Sequence, residues 1–167
     1  MIRFILSLFK FSFVSPKAKI HRSVKIGFFC FIQGGVEIGE KTVVKSYVEL
    51  RRGSIIGRHC YIDSRVSMSG SCVVEDSVTL RYGVIIARGC VIQHDSYLCP
   101  RVMTNNLDTG KEQIGGAVVG RNSFIGTHAV LQHGIKIAPG TIVGSCSFVN
   151  KDTEGGTYIG TPAKKVK

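Results

Sequence analysis

Five histidines stand at positions 21, 59, 94, 128 and 133, and six cysteines at 30, 60, 72, 90, 99 and 146. Imidazole titrates near neutral pH, so each histidine could serve as a general base that takes a proton from an attacking hydroxyl. An attack on a carbonyl carbon also needs an N–H donor for the tetrahedral oxyanion, which backbone at a glycine corner supplies. A neutral amine is already nucleophilic and needs little more than orientation by a polar group. His94, His128 and His133 also have a second chemistry open to them, because a distant histidine followed by H-x4-H approaches the spacing of a three-ligand zinc site.

Which chemistry is available depends on the elements that carry these residues. A step of six from Ile20 lands on Ile26, Ile32, Ile38, Val44, Leu50, Ile56, Ile62, Met68, Val74, Leu80, Ile86, Ile92 and Leu98. The register breaks at Thr104 and resumes as Val119, Ile125, Leu131, Ile137, Val143 and Val149. The fourth residue after each aliphatic is small or β-branched, as at Val24, Cys30, Val36, Thr42, Val48, Ser54, Cys60, Val66, Cys72, Val78, Val84 and Cys90. Glycine often follows the aliphatic directly, at 27, 39, 57, 120, 126 and 144, which reads as relief of a sharp turn. Neither a helix nor a half-buried alternating strand has period six. The pattern predicts a triangular parallel β-solenoid with three hexapeptides per coil.

The same register assigns the thiols. Cys30, Cys60, Cys72 and Cys90 occupy the small inward position, as packing rather than ligands or nucleophiles. Cys99 and Cys146 sit near corners and take no role. The spacing contains no CxxC, and reduced thiols fit a cytoplasmic protein.

A solenoid commits its coil to packing, so a site belongs on a loop thrown out from a corner. One long interruption exists, at 104–118, with the sequence TNNLDTGKEQIGGAV. Stacking by 18 residues, or by 27 across that loop, puts Arg88, Asn106 and His133 at one corner in successive coils. Rungs lie about 4.8 Å apart, so Asn106 and His133 are expected as neighbours at the loop's base. His94 takes the same hexapeptide position on another corner, and His128 sits one place further along on the third. Three corners do not converge on one zinc ion, and the zinc reading loses ground accordingly. The remaining histidines, His21 and His59, read as solvated turn residues.

The formal charge is +11 over 167 residues, which calls for an anionic partner. Lys and Arg are scattered singly without interleaved aromatics, so nucleic acid is not that partner. Residues 1–19 form a separate segment. Ile2, Ile5, Leu6, Phe9 and Phe13 share one helical face, which predicts a short amphipathic helix packed on the domain, on a neighbouring subunit or on a membrane surface. In the last case Arg3, Lys10, Lys17 and Lys19 would meet lipid head groups. The segment is too short and charged to span a bilayer. The solenoid is expected over 20–149 and a tail over 150–167.

The whole pattern resembles the hexapeptide-repeat acyltransferase family, most of all its sugar and sugar-nucleotide acetyltransferases. Gly160-Thr161-Pro162-Ala163-Lys164 is similar to that family's terminal G-x-P-A-K/R, and Val149-Asn150-Lys151-Asp152 to its V-T-K-D without the following proline. Met103-Thr104-Asn105-Asn106 resembles an F-T-N motif, with Asn106 on the family's Asn, and Ile92-Gln93-His94-Asp95 resembles an x-x-H-[DE] motif whose His is the base. The O-acetyltransferases carry a catalytic histidine early in the loop, and this loop has none.

The resemblance implies a left-handed coil, a homotrimer with sites between subunits, and acetyl-CoA as co-substrate. It further implies a sugar or nucleotide-linked amino sugar as acceptor, of the kind used in surface polysaccharide biosynthesis, including lipopolysaccharide. The catalytic residues it implies are His133, Asn106 and His94, and the cofactor-binding residues are Gly126, Gly144, Lys151, Lys164 and Lys165. No resident metal is expected. Localisation is expected to be cytoplasmic, with peripheral contact at the inner face of the membrane through residues 1–19. The competing readings are a γ-class carbonic anhydrase-like zinc enzyme and a non-catalytic β-helix scaffold.

Overall fold

The computed structural model describes residues 11–112 and 115–166. Within them the chain forms a left-handed parallel β-helix whose strands, mostly two residues long, build three sheets of eight, seven and nine strands. Face A starts at Phe13–Val14, face B at Lys19–Ile20 and face C at Lys25–Ile26. Successive coils pair in parallel at an offset of 18, as in Val73↔Val91 and Tyr61↔Thr79. Across the loop the offset becomes 27, as in Val91↔Val118 and Tyr97↔Phe124.

Each two-residue strand turns one side chain outward and the next into the coil. The inward columns are Ile32, Leu50, Met68 and Ile86 on face A, Ile38, Ile56, Val74 and Ile92 on face B, and Val44, Ile62, Leu80 and Leu98 on face C, all buried. Full burial of such a side chain stabilises by about 1.5–3 kcal/mol, and here the stack repeats it coil after coil. The small position is buried as well, and its polar members find partners. Thr42 Oγ1 donates to Gly57 O at 2.8 Å and accepts from Cys60 N at 3.0 Å, while Cys60 Sγ donates to Glu75 O at 3.0 Å. A corner carbonyl thus lets Cys, Ser and Thr replace Val without leaving a buried polar group unpaired.

Three expectations change. Residues 11–19 are not helical: Phe13 pairs with Phe31 and Lys19 with Glu37, so the solenoid already runs through them. Ile2, Ile5, Leu6 and Phe9 lie outside the described residues. Second, the register does not break at Thr104. Thr104 is the inward residue of Met103–Thr104, and its hydroxyl accepts from Ala87 N at 2.7 Å, so a satisfied hydroxyl holds a place that aliphatics hold elsewhere. The insertion begins after it.

Third, the glycines that follow the aliphatics do not take the left-handed conformation. That conformation falls two residues later and is borne mostly by non-glycine residues, among them Phe29, Lys41, Tyr47, His59, Asp95, His128 and Cys146. At some of these positions glycine is needed because neighbouring chain passes too close for a side chain. A Cβ on Gly126 would lie 2.5 Å from Ser145 N and 2.7 Å from Gly144 C, and one on Gly144 would lie 2.6 Å from Ile159 Cγ2.

Beyond Val149 the hexapeptide pattern ends. Thr157–Gly160 adds in parallel to face C beside Ile142–Val143, and Ala163–Val166 returns antiparallel to it. The G-x-P-A-K segment therefore forms the turn of a hairpin that closes this face.

Candidate functional site

The three corners carry the three candidate histidines separately. His94 lies on the B-to-C corner, His128 on the C-to-A corner and His133 on the A-to-B corner. Among the described residues no three His, Cys, Asp or Glu side chains are placed to share a metal ion.

His94 sits in an open groove of about 530 Å³ along the B-to-C corner, together with Ile55, Gly57, Val73, Glu75, Asp76 and Asp95. Its Nδ1 lies 2.8 Å from Asp95 Oδ2. A carboxylate accepting from Nδ1–H leaves Nε2 with its lone pair, the state a general base requires. The backbone N–H of His94 donates to Glu75 Oε2 at 3.0 Å, which fixes the corner from the coil below. Asp95 takes the left-handed corner conformation, φ 59°, so the carboxylate is presented by the turn itself.

Charge alternates over the first four coils of this corner, from Arg22 to Asp76. Arg22, Glu40, Arg58, Asp76, His94 and Arg121 occupy the same corner position in successive coils. Arg58 clamps Asp76 through its backbone N–H at 2.7 Å and its guanidinium at 2.8 Å. Those bonds hold the Asp76 carboxyl below the usual carboxylate range. Both groups are solvent-facing, so the pair positions more than it stabilises. The stacking rule that aligned Asn106 with His133 would equally have placed Asp76 beneath His94 and Glu75 beneath Gln93. These residues were legible in the sequence as soon as 18 was subtracted from 94.

The A-to-B corner is arranged differently. Asn105 N donates to Leu131 O at 2.9 Å, and Gly134 N donates to Gly115 O at 3.1 Å. The rung beneath Gln132–Gly134 is thus split: Asn105 and Asn106 open the extruded loop, and Gly115 and Gly116 close it. A Cβ on Gly116 would collide with the backbone of Cys90. Asn106 is half-buried at the loop's root. His133 is half-buried, with Nε2 at 3.1 Å from Gln132 Nε2, while its Nδ1 is buried without a partner among the described residues. One nitrogen is occupied and the other is occluded, whereas His94 faces a groove.

His128 is an exposed corner residue at φ 59°. His21 bonds Ser23 at 2.8 Å and His59 approaches Glu40 at 3.8 Å, both as corner residues. Gly126 and Gly144 lie one coil apart on the C-to-A corner, where close stacking accounts for them. Lys151 is exposed just past the last face-A strand, and Lys164 and Lys165 are exposed on the terminal hairpin. The six cysteines are free thiols. Of these, Cys146 alone is exposed. Burial pushes the Cys60 and Cys72 thiols up to about 11.

A family described as bacterial transferase hexapeptide (six repeats) matches residues 116–151. A chloramphenicol acetyltransferase from Klebsiella aerogenes is 42% identical over 57 residues, which are 34% of this chain and 27% of that protein. The chain therefore spans about a quarter of the length of the curated relatives it matches. Among solved structures, a UDP-N-acetylglucosamine acyltransferase from Campylobacter jejuni superposes with a TM-score of 0.60 at 14% identity, covering 90% of this chain and 73% of that one. The acetyltransferase domain of PglB from Neisseria gonorrhoeae FA1090, in complex with acetyl coenzyme A, superposes with a TM-score of 0.53 at 18% identity, covering 92% and 56%. At these identities the likeness is one of fold. The chain is a hexapeptide-repeat β-helix of the architecture that these acyltransferases share.

Proposed function

We propose that the protein is an acetyl-CoA-dependent acetyltransferase whose acceptor is a sugar amine, presented on a nucleotide or lipid carrier during surface polysaccharide synthesis. The observation that carries this reading is the His94–Asp95 pair, 2.8 Å apart in a groove of about 530 Å³. Solved relatives in fold include one bound to acetyl coenzyme A, which supports that molecule as acyl donor.

The neutral amine of the acceptor attacks the thioester carbonyl carbon without help, and His94 Nε2 then takes the proton from the ammonium nitrogen of the adduct, which would otherwise revert by losing the amine. Asp95 steadies the imidazolium that results. Collapse of the tetrahedral intermediate expels the CoA thiolate, which leaves as thiol with a proton returned from His94. Asn106 and His133, at the root of the loop, orient the acceptor rather than move its proton. Gly126 and Gly144 give the thioester arm a side-chain-free corner to lie along, and Lys151, Lys164 and Lys165 meet its phosphates. His94 and Asp95 are half-exposed in one subunit, so a threefold assembly, in which a neighbour closes the groove, supplies the dry surroundings that the reaction needs. Exposed Ile55, Ile85, Met103, Phe124 and Ile142 on the outer faces support such an assembly.

The test is thiol release from acetyl-CoA against a panel of amino sugars, nucleotide-linked amino sugars and neutral glycans. Release that depends on an amine-bearing acceptor is expected. Release with hydroxyl acceptors alone would contradict the amine reading, and release with no acceptor on the panel would contradict the transferase itself.

A further inference from the structure

The aromatic residues and the charge of this chain are distributed unevenly, and both collect at the same end. Seven of the nine phenylalanines lie within the first 31 residues. Residues 1–65 hold 12 Lys and Arg against four Asp and Glu, a net +8 out of the chain's +11. The fold turns that bias into a surface.

Phe11, Phe29 and Tyr47 occupy the left-handed corner position of three successive coils and stack face to face, with ring centroids 5.8 and 5.2 Å apart. Arg65 continues the ladder, its guanidinium 5.4 Å from the Tyr47 ring centre. On the adjoining face A, Phe13 and Phe31 stack at 5.1 Å. These five rings, with Phe28 beside them, are between 41% and 74% exposed. Six exposed aromatic rings in one contiguous patch exceed what a soluble surface carries by chance. Lys45 and Arg65 stand on the corner at one side of the Phe13–Phe31 strip, and Lys17 and Arg52 on the corner at the other. Among the described residues none of these four has a carboxylate at ion-pair distance.

We infer that this patch is a docking surface for a bilayer containing anionic lipids. Aromatic rings seat at the boundary between head groups and acyl chains, and flanking cations meet the negative surface. The unpaired cationic rim favours an anionic surface over a second copy of the chain, which is itself strongly positive at +11. Met1–Lys10 add Phe4, Leu8 and Phe9 with Arg3 and Lys10 to the same end of the sequence. The surface stands independently of the transferase reading, so vesicle binding and acetyl transfer fail separately.

The experiment is co-sedimentation of the full chain with phosphatidylcholine vesicles, with and without phosphatidylglycerol. Two variant sets run alongside the wild type. The first is Phe13→Ser, Phe29→Asn, Phe31→Ser and Tyr47→Asn together, with Asn chosen where the left-handed conformation favours it. The second is Lys45→Glu with Arg65→Glu. Circular dichroism and light scattering establish that each variant keeps its fold and mass.

The wild type is expected to bind only the phosphatidylglycerol vesicles, and to release as salt rises from about 0.1 to about 0.5 M. Each variant set is expected to weaken binding at least about ten-fold. Wild-type protein left in the supernatant overturns the inference, as does binding that survives both sets. A change of mass on aromatic substitution, with vesicle binding intact, would assign the patch to self-association instead.

Discussion

At the scale of single residues, position in the hexapeptide decides what a side chain can do. The same residue type is inert at the inward position, as Cys60 is, and available at the tip of a corner, as Cys146 is. Cys60 and Cys72 show the first case, since burial raises both thiols to about 11 against an ordinary 9.0. The unfolded chain releases those protons as pH rises through about 9, while the folded chain holds them to about 11. Their contribution is therefore complete below pH 9 and is lost between 9 and 11. Denaturation midpoints taken across that window should fall with pH. The fall should be shallower in a Cys60→Val, Cys72→Val chain, valine being what equivalent repeats carry. Cys146, exposed on its corner, should be the thiol that a mild alkylating reagent modifies first at neutral pH. Modification of the inward thiols at a similar rate would contradict the packing described. Histidine shows the second case: all five lie at corners, and only the environment separates them. Spacing ranked His94 and His133 together. What parts them is the orientation of ring nitrogens relative to groove and loop, which no periodicity encodes.

At the scale of the element, the repeating unit is a two-residue strand and a corner, and its constraints are backbone constraints. The inward columns were legible because volume and burial recur every six residues without exception from Ile32 to Leu98. The reason for the glycines was not legible, because close approach between coils and a left-handed turn both select glycine. Gly126→Ala separates the two causes. Its Cβ would meet the backbone of Gly144 and Ser145, and such overpacking costs about 1–3 kcal/mol. Cys146, at φ 56°, gives the converse: Cys146→Gly relieves the left-handed strain and should leave stability unchanged or raise it by up to about 1 kcal/mol. Thermal melts of the two variants measure both, and equal effects would contradict the assignment. Thr104 and the first strand, Phe13–Val14, escaped the periodic reading for related reasons. A satisfied hydroxyl can stand where an aliphatic is expected, and an aromatic-rich segment supports helical spacing and strand pairing alike.

At the scale of the whole molecule, the solenoid distributes functions along its length. Aromatic rings and net positive charge gather at the N-terminal end, the His94 groove and the extruded loop lie in adjoining coils further along, and the terminal hairpin closes the other end. Among the described residues no helix is long and apolar enough to cross a membrane. The exposed apolar residues on the outer faces predict association. Light scattering should give three times the 18.2 kDa chain mass, and a monomer at working concentration would leave the groove uncovered and count against the trimer. The C-terminal hairpin was not legible, because its residues leave the hexapeptide pattern and pair antiparallel. The charge imbalance was legible in the sequence, but the surface it makes was not, since stacking at one corner joins Phe11, Phe29 and Tyr47 from coils 18 residues apart.

The central claim is that His94, oriented by Asp95, is the base. The most direct measurement is the turnover of acetyl-CoA with an accepted amine substrate, compared between His94→Ala, Asp95→Asn and His133→Ala. A positioned base contributes about 10²–10⁴-fold, so His94→Ala should lose at least about a hundred-fold in kcat. Asp95→Asn should lose less, and His133→Ala should act mainly on KM. If His133→Ala abolishes turnover while His94→Ala retains it, the chemistry belongs to the loop corner and His94 is not the base.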